Sequence, residues 1–154
     1  MIECFKHGLY WRGIKHDWHK FLPSEYIPYA EHFYGEFGIK NSTRDKTGYY
    51  KPTDTGDVKF DHAWFLHQKR ADHHWQYWIL PEDEQGHKIL KMSSSAITEM
   101  ICDWYGASRA QGSKSTVQDW YTVNGHKLQL HQESRIEIET ILTLNKIKED
   151  RDEC

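Results

Sequence analysis

Long apolar runs are missing from this 154-residue chain: nothing in it approaches the ~20 residues that a membrane-spanning helix needs. A basic excess is missing as well. Twenty Lys and Arg stand against 23 Asp and Glu, a formal net charge of −3, so no overall field draws the chain to nucleic acid. Cysteine is scarce. Cys4, Cys102 and Cys154 are odd in number, form no CxxC and outline no disulfide framework. The first ten residues lack the basic and apolar regions of a secretory signal. Taken together, these absences lead us to expect a cytoplasmic protein with reduced thiols and no membrane partner. There is also no GxGxxG, no P-loop, no GxSxG and no HExxH, which removes the usual signatures of dinucleotide binding, nucleoside-triphosphate binding, esterase and zincin chemistry.

Two residue classes are abundant instead. Aromatics make up 14% of the chain, including seven Trp, which excludes a disordered polypeptide despite the low mean hydropathy of −0.86. Histidine occurs eleven times, against roughly 3–4 expected at ordinary usage for this length. The length fits a single domain, read as residues 1–147 with a charged tail at 148–154. Apolar and aromatic positions recur at three- and four-residue spacing over much of the chain, so the expected class is all-α. Helices are expected over residues 2–20 (weakened by Gly8 and Gly13), from Pro23 to about Phe37, from Val58 to Trp78, after the Ser93–Ser95 caps to about Ala107, and from Glu133 to Ile147. Pro28 is a competing boundary in the second of these. Residues 39–57 show no period and read as one long polar loop. Asn124-Gly125 is a hairpin signal, the clearest strand signal in the chain.

The placement of His and acidic residues carries the chemistry. His16-Asp17 ends the first helical stretch. His67 and His74 lie seven apart and share a face if the third helix is continuous, with His73 adjacent. Glu99 and Asp103 are four apart on the next helix and share its face, with Glu99 expected behind the ligands and not among them. Imidazole nitrogen and carboxylate oxygen are the donor set for Mn, Fe, Zn or Ni, and helical bundles commonly collect such ligands from several helices. Simpler readings stand beside each: a helix-end ion pair for His16-Asp17, packing among Trp75, Tyr77 and Trp78 for His73 and His74, an indole hydrogen bond for Asp103, and a surface ion pair for Glu99.

His16-Asp17-Trp18-His19-Lys20 resembles the HDxxK form of the HD signature of metal-dependent phosphohydrolases. The order His16-Asp17, His67, His73-His74, Asp103 is similar to that of the HD-GYP branch. Four blocks also resemble a small family of phage and bacterial proteins of unassigned function: HDWHKFLPSEYIPYAEHFYG (16–35), FDHAWFLHQKRADHHWQYW (60–78), EMICDWYGA (99–107), and Trp120-Tyr121 with the helix of Glu139. The chain departs from the HD pattern in three ways. His7 is too close to His16 to be the upstream ligand, the later His residues stand closer together than in the HD-GYP branch, and His19 replaces a small residue while the GYP element is absent.

The resemblance implies an HD-like helical bundle and a divalent transition metal held by His16, Asp17, His67, His73, His74 and Asp103. It further implies hydrolysis of a nucleotide or cyclic nucleotide by metal-activated water, with Asp17 and Lys20 at the reacting centre. Lys20 would neutralise phosphate charge; the plainer reading makes it a solvated lysine. His32, His62 and Arg109 are candidate substrate contacts. A host cytoplasm would be the setting for a phage-encoded chain. The alternative expectation is a non-catalytic helical module that binds a host protein or a nucleotide through a degenerate metal site, and the missing upstream His favours it.

Overall fold

The computed structural model describes residues 2–35, 55–84 and 86–152, with side chains to Asn145. The protein is mostly α-helical, as its periodicity predicts. Its helices are α1 (Ile2–Lys6), α2 (Tyr10–Lys15), α3 (Pro23–Tyr34), α4 (Val58–Arg70), α5 (Ser94–Ala110), α6 (Val117–Asn124) and α7 (Gln132–Asp152). Short 3-10 turns occupy Trp18–Phe21, Trp75–Trp78 and Gly125–Lys127. Strands β1 (Ile79–Pro81) and β2 (His87–Ile89) form one antiparallel ribbon, with Leu80 opposite Lys88. No described helix is long and apolar enough to cross a membrane. Most of the predicted 39–57 loop, together with Phe37 and Gly38, lies outside the described residues.

The chain forms two compact units, Met1–His16 with His73–Cys154, and Asp17–Asp72. In the first, α1 packs on α5, and α5 on α7 and α6. Its core is mainly apolar, with Cys4, Met92, Ile97, Ile101 and Ile138 each almost fully buried, and it also buries Glu3, His73, Glu99, Asn124 and Ser134. Ser93 caps α5 by accepting from Ala96 N–H, and Thr116 and Asp119 form a reciprocal capping box on α6. Gly13 is where α2 meets α1. A Cβ there would sit 2.7 Å from the Phe5 ring, so the residue that weakens the helix in sequence permits the contact in space.

The second unit packs α3 against α4, with the Trp18–Phe21 turn on both. Pro23 starts α3 at its first turn, where a missing N–H costs nothing. Gly35 ends it. Pro28 lies inside this helix and marks no boundary. Asp57 caps α4 by accepting from Phe60 N–H at 3.1 Å. Among the described residues of this unit, the buried ones are three apolar (Phe60, Ala63, Ala71) and four polar (His19, Glu25, His32, His67). Burying polar groups costs free energy unless each is paired, so this interior was not assembled for apolar burial alone.

Four local expectations are corrected. The 2–20 stretch is two short helices and a 3-10 turn. Leu9 and Gly8 break the first pair, and Asp17 turns the chain with φ 57° and ψ 20°. The Val58–Trp78 helix stops at Arg70, where Ala71 takes an extended conformation. Asn124-Gly125 makes no hairpin, because Gly125 stays right-handed helical against the Tyr121 ring. The terminal helix runs beyond Ile147 to Asp152.

Candidate metal centre

Asp17 is the sole non-glycine residue with positive φ among the described residues. The left-handed region costs most L-residues roughly 1–2 kcal/mol, and Asp is among those that tolerate it. The turn it makes lets Asp17 and His19, two residues apart, face the same interior. Asp17, His19 and His67 each offer a ligand atom, and these atoms all lie within 4.8 Å of one another. His67 comes from α4, three residues before its end, where α4 meets the turn.

Glu25 organises this set. It sits in the first turn of α3 and is fully buried. One carboxylate oxygen, Oε2, accepts from His19 Nδ1 at 2.9 Å and from His67 Nδ1 at 3.2 Å. The other, Oε1, accepts from Arg70 Nη1 at 2.7 Å. A carboxylate has only lone pairs to offer, so both Nδ1 atoms donate to it, and in the neutral rings both Nε2 atoms carry the lone pair. His67 Nε2 lies 3.7 Å from Asp17 Oδ1. Lys20 Nζ is 2.6 Å from the other Asp17 oxygen. The rings are held by packing: Trp64 stacks on His67, and the His19 and His67 centroids are 4.9 Å apart. Two Nε2 donors and a carboxylate, with a carboxylate behind the imidazoles, fit a divalent transition metal in donor type and in support.

The first unit holds a separate cluster. Glu99, on α5, is buried. Its Oε1 accepts from His16 Nδ1 at 3.0 Å and lies 3.4 Å from His73 Nδ1, and its Oε2 accepts from Arg12. His16 Nε2 is 3.3 Å from Asp103 Oδ1. Burial opposes ionisation of Glu99, but the His16 and His73 donors and the Arg12 charge overcome it and hold the carboxyl far below the usual range.

The remaining expected residues fall elsewhere. His74 is not on the face of His67, because α4 ends between them; it lies beside the His73 ring, 4.5 Å between centroids. His32 is buried, stacked 3.7 Å from Phe60 and bonded to Asp57 at 3.1 Å, which makes it part of the α3–α4 interior and not a surface contact. His62 is exposed on α4 beside Phe65. Arg109 pairs with Glu3 at 2.5 Å. Sequence reasoning placed Glu99 behind the ligands on a face shared with Asp103, and passed over His19 and Glu25 as site residues. Little local marks Glu25 as buried, since two of its three partners lie 42 and 45 residues away.

A family model described as "Family of unknown function (DUF5662)" matches residues 1–144, and the chain belongs to that family. No curated protein and no solved structure matches it.

Proposed function

We propose that this member of a family without an assigned function is a divalent-metal-dependent hydrolase of phosphate esters, with a nucleotide as substrate. The observation that carries the reading is the convergence of Asp17, His19 and His67 over the buried Glu25. A cation held there would acidify water toward neutrality and polarise a phosphoryl oxygen. The chain's own groups do the rest. Glu25 sets both imidazole tautomers, and Arg70 anchors Glu25. Lys20, with its side chain 44% exposed, holds one Asp17 oxygen and stands where a phosphate would meet a positive charge. In the hydrolysis a water oxygen bonds to phosphorus, the ester P–O bond breaks, and the departing oxygen takes a proton. Trp18 and Phe21 are exposed on the same turn as His19 and Lys20 and offer rings for base stacking.

The test is a panel of p-nitrophenyl phosphate, bis-p-nitrophenyl phosphate and linear and cyclic nucleotides, assayed with Mn2+, Zn2+, Fe2+ and Ni2+ and after chelation. Turnover that requires metal and vanishes in Asp17→Ala and His67→Ala is expected. Metal uptake with no turnover on any of these substrates overturns the enzyme reading and leaves the non-catalytic module. No metal uptake at all overturns both the activity and the site.

A further inference from the structure

Helices α6 and α7 and the turn at Gly125 line a cavity of about 520 Å3 that lies wholly within the first unit. That size falls in the range that holds a small organic ligand. Buried Tyr121 lies on its wall with the ring against Gly125, where a Cβ would come within 2.9 Å of it.

The polar groups of this wall are acceptors short of donors. Gln118 Nε2 donates to Tyr105 Oη at 2.7 Å and to the Leu142 carbonyl at 3.4 Å. A carbonyl only accepts, so the amide nitrogen is on that side, and Oε1 is left buried without a donor. A buried acceptor of this kind calls for an occupant. Glu139 is in a similar position. Among the described residues it is bonded by Tyr121 Oη alone, at 3.4 Å, a long contact for a hydroxyl donor. Arg135, one turn earlier on α7, does not pair with it. Its guanidinium is turned to the Gly125 and Leu128 carbonyls at 2.9 and 2.7 Å and reaches Tyr121 Oη at 3.3 Å. Asp119 brings a second carboxylate from α6. The cavity thus carries negative charge from both helices, while its arginine is committed to backbone.

We propose that this cavity binds a small aliphatic diamine or polyamine. The ammonium groups bring the donors that Gln118 Oε1 and Glu139 lack. Carboxylates from two helices suit a ligand charged at both ends. The methylene chain packs on Leu142 and the Tyr121 ring. The site stands apart from the metal reading, since no residue of either His–carboxylate cluster lines it.

The experiment titrates chelator-treated, full-length protein with putrescine and with spermidine, by calorimetry and by 1H–15N NMR, at ionic strength held constant with NaCl. Saturable binding is expected, with amide shifts centred on Gln118, Tyr121, Gly125 and Glu139. Affinity should fall roughly tenfold or more in Glu139→Gln, which removes a charged partner, and in Thr122→Trp, which adds bulk to the wall. Glu133→Gln, which alters an exposed carboxylate earlier on α7 that pairs with Lys91, should keep wild-type affinity. Thermal unfolding checks that each variant is folded. No saturable shift, shifts centred elsewhere, the same shifts with Mg2+ in place of the amine, or wild-type affinity in either Glu139→Gln or Thr122→Trp overturns the site. So does an equal loss in Glu133→Gln. Inorganic phosphate saturating the same amides overturns the assignment of charge. Tighter binding of Nα-acetyl-lysine amide than of either amine overturns the free amine as the ligand.

Discussion

Glu25→Gln changes one oxygen of a fully buried side chain into NH2 and keeps its shape. Glu25 accepts three hydrogen bonds, from His19, His67 and Arg70. Bonds to a charged partner are worth about 1.5–3 kcal/mol each. The amide retains one acceptor oxygen. If that oxygen keeps the two imidazoles, the NH2 faces the Arg70 guanidinium, donor against donor. If it keeps Arg70, the NH2 faces both Nδ1–H groups, and the imidazoles can be satisfied only by moving their hydrogens to Nε2. One bond is lost in the first case and two are lost or inverted in the second. Arg70 is partly exposed and also bonds Ser24 Oγ at 3.0 Å, which softens the first case. The expected loss is about 2–4 kcal/mol, and at roughly 2–4 °C per kcal/mol for a chain of this size, 3 kcal/mol lowers Tm by about 6–12 °C. Urea unfolding of chelator-treated protein measures it, with histidine 15N shifts reporting the tautomers. Zinc affinity should fall about 10–100-fold, as it does when an outer-shell partner is lost. A loss under ~1 kcal/mol with both tautomers unchanged would refute the claim that Glu25 fixes the two imidazoles.

Other outcomes follow from the same structure. Asp57→Ala removes the α4 cap and the partner of buried His32 and should cost about 1–3 kcal/mol in thermal or urea unfolding. Burial opposes ionisation of Asp57 and of Glu3, but the Phe60 N–H and His32 hold the Asp57 carboxyl below its ordinary value, and Arg109 and Lys6 do the same for Glu3. Groups depressed in the folded state add stability above the ordinary carboxylate range and lose it as pH falls through their folded values. Stability of metal-free protein should therefore drop on acidification below pH ~4, and the drop should be shallower in Asp57→Asn. Cys4 and Cys102 are buried, and desolvation pushes both thiols up, Cys102 to about 12. In a Cys154→Ser chain a thiol reagent should find no fast-reacting group until the protein is unfolded.

What the sequence shows of this fold is what local chemistry decides. Pro23, Gly35 and Ser93 mark helix ends because capping depends on neighbouring residues. The helical stripes are legible because burial repeats at the helical period. The same reasoning overran at Arg70, where aromatic residues continue at helical spacing but the chain turns extended at Ala71. Along with the helix went the argument that aligned His74 with His67. The site is legible in part, since His16, Asp17, His67, His73 and Asp103 all stand in one or other carboxylate-backed cluster. Its organising residues are not. Glu25 reads as an acidic first-turn residue, as frequent on surfaces as any, and Glu99 as a helix-face carboxylate. Most of their partners lie 26 to 87 residues distant, which no local pattern records. His19 looked like a departure from a motif and became a ligand candidate once Asp17 turned the chain.

X-ray absorption fine structure on the Zn2+-loaded protein tests the central assignment most directly, because it reads the ligands of an ion held by Asp17, His19 and His67. Two imidazole nitrogens at about 2.0–2.1 Å together with oxygen at about 2.0–2.2 Å are expected, falling to one imidazole in His19→Ala. A zinc shell without imidazole, or one unchanged by His19→Ala, would contradict the account.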